Sequence, residues 1–146
     1  MSYLLDTCIL SKLRKISKNP DPKLENWIKK HKESTCFVSV ITFGELQLGI
    51  SQLNLKKNDE KQKKLILEDW FFEELIPRFQ GRILSLDMEV LLVWGKLVGE
   101  NRQRGITIPV ADGLIAATAI VNNLTVVTQN VNDFLETGAR LFNPWG

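Results

Sequence analysis

Short solid apolar blocks alternate along the chain with longer stretches in which apolar residues recur at helical spacing. Tyr3, Leu4 and Leu5 form the first block, closed by Asp6 and Thr7. Cys36 to Val40, Arg82 to Leu86 and the β-branched run Thr125 to Thr128 form three more. Blocks apolar throughout are the mark of strands buried on both faces. Between them the period changes. Ile9 to Lys15, the stretch opening with Leu24, Trp27 and Ile28, and the stretch carrying Phe43, Leu46, Ile50 and Leu53 all read as helices. So do Leu65 to Phe79 and Met88 to Arg104. Asn19-Pro20-Asp21-Pro22 separates the first two helices, Ser39 or Thr42 is placed to cap the third, and Asp87 to cap the last of these. Gly81 and Gly105 stop helices, and the segment after Gly138 adds an edge strand.

The densest signal runs from Ile108 to Phe134. Pro109 presets the backbone for a new helix, with Asp112 in or beside its first turn. Leu114 to Val121 leaves almost no polar face, so this helix packs on several sides. Asn122 and Asn123 tolerate the left-handed conformation that ends a helix. After the strand, Gln129 and Asn130 break the run and Asp133 follows. Taken alone, Asp112 also fits a helix-starting role, and Asn130 with Asp133 also fits a capping pair.

Strands alternating with helices predict a parallel sheet covered on both faces, and in such sheets sites form beyond the carboxyl ends of the strands. Asp6 follows the first strand directly, Glu45 lies on the helix after the second, and Asp112 opens the helix that feeds the strand before Asp133. Four carboxylates from distant positions therefore converge at one end of the expected sheet.

Composition narrows the chemistry. The 146 residues are expected to form one domain, 44% hydrophobic and 25% charged, with no run long enough to span a membrane and no signal-peptide centre, so a cytoplasmic protein is expected. Cys8 and Cys36 lack metal-ligand spacing and read as reduced thiols; the one histidine, His31, sits in a basic stretch. Zinc and serine-hydrolase chemistry built on histidine is thereby disfavoured. Net charge is only +2, yet Lys12 to Lys32 holds eight basic residues against two acids, with a second cluster at Lys56, Lys57, Lys61, Lys63 and Lys64. Such patches are either solvated helix faces or a phosphate-tracking rim beside an acidic pocket.

Converging carboxylates must protonate or bind cations. Oxygen ligands without Cys or His select Mg²⁺, with Mn²⁺ as the alternative, and leave positions open for phosphate oxygens, as phosphodiester hydrolysis requires. The hydroxyls and amides of Thr7, Ser39, Thr128 and Asn130 are candidate supports.

DTCIL at Asp6, SVITFGEL around Glu45, and IPVADGLIAATAIVNNLTVVTQNVNDF around Asp112 and Asp133 resemble, in order and spacing, the PIN-domain ribonucleases, and among them the VapC-type toxins of bacterial toxin-antitoxin pairs. The resemblance implies a three-layer α/β/α domain with a central, mainly parallel sheet. It also implies a Mg²⁺-dependent endoribonuclease acting on RNA, a homodimer, and a cognate antitoxin received by the helical region Leu53 to Phe79. By the same likeness Asp6 and Asp112 are principal metal ligands, Glu45 and Asp133 complete the pocket, and Thr7 and Asn130 support it. Gln129 stands where relatives often carry a basic residue. The competing reading is a non-catalytic α/β module that holds nucleic acid or a regulator through its basic patches and the aromatic segment Trp70, Phe71 and Phe72. Phosphate-loop and dinucleotide-binding readings lack their glycine-rich turns.

Overall fold

A computed structural model describes residues 1–16 and 21–146, and the side chains of all of these except 14–16. Five described strands, β1 (Tyr3–Leu5), β2 (Cys36–Ser39), β3 (Ile83–Leu84), β4 (Thr125–Val127) and β5 (Arg140–Phe142), form one sheet in the order β3-β2-β1-β4-β5. Every pairing is parallel, with Tyr3 opposite both Cys36 and Thr125. The chain builds outward from β1 to β3, then returns to the other side of β1 with β4. The strand order therefore reverses between β1 and β4, where an open α/β sheet splits to leave a crevice.

Alternation along each strand assigns the two faces. Tyr3, Leu5, Val38 and Val127 point into one core cluster, with Ile9, Leu10, Leu24 and Trp27 of α1 (Thr7–Ile16) and α2 (Pro22–His31). Leu4 and Val126 point into the other, against Ile115, Ala116 and Ala119 of α7 (Val110–Val121). Outside α7 lies α6 (Met88–Gln103), whose Val90, Leu97 and Val98 pack on Ala117. The result is three layers with a further helix outside one of them. Helix α7 has seven consecutive buried residues, Gly113 to Ala119, as its nearly all-apolar sequence requires. A Cβ at Gly113 would lie 3.1 Å from the Trp94 ring of α6, so only glycine permits this approach without a shift.

The expected breaks fall close to where they form. Ser39, not Thr42, caps α3 (Val40–Ser51), its Oγ accepting from the Ile41 amide at 3.2 Å; because the cap sits there, Val40 begins the helix and does not extend β2. Asp87 caps α6 and accepts from the Val90 amide at 2.9 Å. Asn123 and Gly105 take positive φ after their helices. The third strand is shorter than its apolar block, because only Ile83 and Leu84 find a ladder partner in β2. The Asn19-Pro20 break lies outside the described residues, although Asp21 caps α2 through its carboxylate.

The segment Leu65 to Phe79 departs from a regular helix. Helix α4 (Asn58–Asp69) passes into π-helical winding over Trp70–Leu75 before a last turn α5 (Ile76–Arg78). Pro77 supplies no amide to the carbonyl one turn earlier and its ring crowds that carbonyl, which accounts for the widened winding before it. Phe71, Leu75 and Phe79 enter the core while Phe72 stays 51% exposed. Among the described residues no helix is long and apolar enough to cross a membrane.

Candidate functional site

Asp6 stands one residue beyond β1, at the reversal point. Its amide donates to the Val127 carbonyl at 3.0 Å, while its own carbonyl accepts from the Ile9 and Leu10 amides of α1. The backbone is thus held by the sheet on one side and the first turn of a helix on the other. The residue is 5% exposed. Its Oδ1 accepts from the Thr7 amide at 2.7 Å and its Oδ2 from the Thr128 hydroxyl at 2.8 Å. The Cys8 thiol lies 3.5 Å from the same Oδ2. Burial, then the negative Asp6, push that thiol up against the opposing pull of the Gln129 amide, so Cys8 remains a protonated donor at neutral pH.

Glu45 reaches the same region from α3. Its Oε1 accepts from the Thr7 hydroxyl at 2.6 Å, and the fully buried Thr42 hydroxyl lies 3.4 Å from that of Thr7. Thr7 therefore links both acids, donating its amide to Asp6 and its hydroxyl to Glu45.

Asp112 lies in the first turn of α7, half-buried. Pro109, not Asp112, occupies the capping position, and among the described residues the Asp112 carboxylate takes no hydrogen bond or ion pair. Burial, then the charges of Asp6, Asp133 and Glu45, push its carboxyl up to about 6. Asp133 is exposed on the 3-10 turn Val131–Phe134, where Asn130 makes no side-chain cap. The Asn130 amide instead donates to the Thr128 hydroxyl oxygen at 3.0 Å. A cavity of about 420 Å³ beside this turn is lined by Gln129 to Asp133 and by Asn143.

Three acids thus act on Asp112, and among the described residues no cation is one of the groups that shift it. A divalent ion of the hard, oxygen-seeking kind would relieve that repulsion, and the donor set suits it. Among the described residues no three of His, Cys, Asp or Glu are drawn together into a ready metal cage. Magnesium does not need one, because it keeps several waters and binds through one or two carboxylates.

The PIN-domain family model matches residues 3–139. The chain belongs to the PIN-domain family. Toxin FitB of Neisseria gonorrhoeae is 32% identical over 142 residues, covering 97% of both chains. Ribonuclease VapC2 of Rickettsia felis is 33% identical over 147 residues, covering 99% of this chain and 98% of its own. The crystal structure of FitAcB from N. gonorrhoeae superposes with a TM-score of 0.82 at 31% identity, covering 98% of both chains.

Of the polar residues singled out as supports, Thr7 and Thr128 in this PIN domain bond directly to the acids, and Asn130 bonds to Thr128. Ser39 is fully buried and spends its hydroxyl on the α3 cap. Two neighbours of the acids were not singled out as supports. Thr42 read only as a cap and Cys8 only as a reduced thiol, although Cys8 sits two residues after Asp6 on the turn that must start α1.

Proposed function

We propose that this PIN domain is a Mg²⁺-dependent endoribonuclease of the cytoplasm that acts as the toxin of a toxin-antitoxin pair and is neutralised by a cognate antitoxin. The observation that carries the reading is Asp112: a carboxyl with no partner among the described residues, raised to about 6 by burial and by three acids drawn from the rest of the chain. A relative named a ribonuclease and another named a toxin support the same class of activity.

In this reading Asp6 and Asp112 would be the principal ligands of the ion, and Glu45 and Asp133 would complete the acidic pocket around it. Bound there, the ion supplies charge neutralisation at the phosphodiester and makes water more acidic. Thr128 and the Thr7 amide keep the Asp6 carboxylate in one orientation, and the Thr7 hydroxyl does the same for Glu45. Asn130 faces the cavity beside Asp133 and orients water or a phosphate oxygen.

A toxin of this kind needs a protein that silences it. The region Leu53 to Phe79 exposes Leu55, Leu65, Ile66 and Phe72, a surface suited to an antitoxin segment. Helix α6 exposes Met88, Leu91 and Leu92 on another surface, suited to a second copy in a homodimer.

The test is cleavage of single-stranded RNA by the purified chain in Mg²⁺, in Mn²⁺ and in EDTA, with Asp6→Asn and Asp112→Asn alongside. Cleavage should require the metal and fall by orders of magnitude in both variants, because several kcal/mol of transition-state stabilisation go with the ion. RNA left intact in both metals, or variants as fast as the parent, would overturn the reading.

A further inference from the structure

A groove of about 510 Å³ runs between α2 and the C-terminal turn, lined by Lys23, Lys30, His31, Phe142 and Trp145 among others. Its volume falls within the roughly 300–1,000 Å³ of ligand sites. Its chemistry is basic and aromatic, whereas that of the acid pocket is negative.

The Lys23 ammonium donates to the Trp145 carbonyl at 3.5 Å, a long bond that a phosphate can replace. Lys23 and Lys30 lie seven residues apart on α2, about 10 Å along the helix and on one face. Both are exposed, and among the described residues neither pairs with a carboxylate; Lys29, by contrast, is spent on Glu25 at 3.0 Å. The acid at the groove, Asp21, is already engaged. Its Oδ1 accepts from the Lys23 and Leu24 amides, and its Oδ2 from the Trp145 indole at 2.9 Å.

The aromatic groups are pre-ordered. The Trp145 amide donates to Asn143 Oδ1 at 3.0 Å, and the Lys12 ammonium lies 4.8 Å from the Trp145 ring centre. Phe142 has one face on Trp27, with ring centres 6.1 Å apart and planes 27° from parallel, yet 42% of the residue remains exposed. A flat aromatic held on one side and open on the other is a stacking platform for a nucleobase. Little ordering is left to be done on binding.

Consecutive residues of the chain line the groove and the cavity beside the acids. Asn143 lines the cavity beside Asp133, and its neighbours Phe142 and Pro144 line the groove. The Phe142 carbonyl accepts from the Thr128 amide at 3.0 Å, and the Thr128 hydroxyl donates to Asp6. Two hydrogen bonds therefore separate the platform from the buried acid.

We infer that this groove holds the single-stranded RNA flanking the scissile bond, with Lys23 and Lys30 on its phosphates and a base stacked on Phe142. The inference rests on the ribonuclease reading for the site from which the strand arrives, but its test is separate. Binding of a fluorescein-labelled oligouridylate to the full chain is followed by anisotropy in EDTA, where no cutting occurs. The double change Lys23→Glu and Lys30→Glu should weaken binding by about tenfold or more and reduce the slope of log affinity against log salt by about 1.4, two single-strand phosphates' worth. Phe142→Ala should weaken it by about tenfold. A matched reversal at the exposed Lys96 and Arg102 of α6 should stay within about twofold of the parent. In Mg²⁺ the groove variants should raise KM and leave kcat unchanged.

Unchanged affinity in the groove variants overturns the inference. So does an equal loss from the Lys96 and Arg102 reversal, which would mean diffuse attraction only, or a loss of self-association with RNA affinity intact, which would assign the groove to protein. Should Phe142→Ala loosen the edge strand, the lysine pair on the exposed helix face decides alone. RNA bound as expected in EDTA but never cut would defeat the ribonuclease reading and leave the groove standing.

Discussion

Thr128 donates its hydroxyl to Oδ2 of Asp6 at 2.8 Å, joining residues 122 positions apart across the junction of β1 and β4. A buried carboxylate that loses such a donor keeps its desolvation cost without the bond. Thr128→Val should therefore destabilise the metal-free protein by about 1–3 kcal/mol. It should also weaken Mn²⁺ binding by about 10–100-fold, as loss of a group that orients a metal ligand does. Thr128→Ser should restore both. Calorimetric titration of each variant checks this, and equal affinity in the Val and Ser forms would remove Thr128 from the site.

Asp112 makes stability depend on pH in the direction opposite to most acids. Burial and the neighbouring acids push its folded-state carboxyl up to about 6 from the ordinary 3.8, so the folded chain binds more protons than the unfolded one between those values. The Asp112 contribution is fully present below about 3.8 and is lost as pH rises through about 6. Asp112→Asn, neutral throughout, should raise the Tm measured in EDTA at neutral pH and flatten its pH dependence in that window. Added Mg²⁺ should raise the Tm of the parent and not of the variant. A variant that melts lower than the parent in EDTA at neutral pH would contradict the account.

The same proton competes with a cation. RNA cleavage should rise with pH through about 6 and fall close to tenfold for each unit below it. Raising the Mg²⁺ concentration should move the midpoint to lower pH. A rate that is flat from acid to neutral pH would show that Asp112 carries no part of the metal site.

Neighbouring aromatics should behave differently. Phe71 is 2% exposed and Phe72 51%. Phe71→Ala should cost about 3–5 kcal/mol in urea unfolding, and Phe72→Ala should stay within about 0.5 kcal/mol. Under the proposed function, Phe72→Glu should leave RNA cleavage intact and reduce neutralisation by the antitoxin. Full neutralisation would move the docking surface elsewhere.

Gly113 offers a test of the helix pair. Gly113→Ala places a methyl 3.1 Å from Trp94, and the collision should cost about 1–3 kcal/mol unless the indole shifts. The shortened variant Trp94→Phe should absorb part of that loss in the double mutant.

Where the pattern was long or doubly constrained, the chain announced its structure. The apolar block at Tyr3 to Leu5, the polar stop at Asp6 and the buried helix after Pro109 each have one packing solution in a covered parallel sheet. The acids could be placed at its carboxyl end because Asp6 follows a strand directly and Asp133 lies in the loop after another. Partners set by angle and depth were less legible. Nothing in the spacing of Thr42 indicates that it would lie beside Thr7, because that contact depends on how α3 leans on α1. The π winding before Pro77 looks helical by period, since a widened turn hardly disturbs the apolar stripe. The bond from Trp145 to Asp21 joins segments 124 residues apart and has no local signature.

The order β3-β2-β1-β4-β5 puts the earliest strand in the middle and its second neighbour far downstream. Asp6 leaves the ribosome well before β4, and Thr128 follows it by 122 residues. Until then β1 lacks one flank and Asp6 lacks its hydroxyl donor. A chain that has not yet reached β4 therefore has no assembled acid site, and under the proposed function it stays harmless to the messenger that is still encoding it.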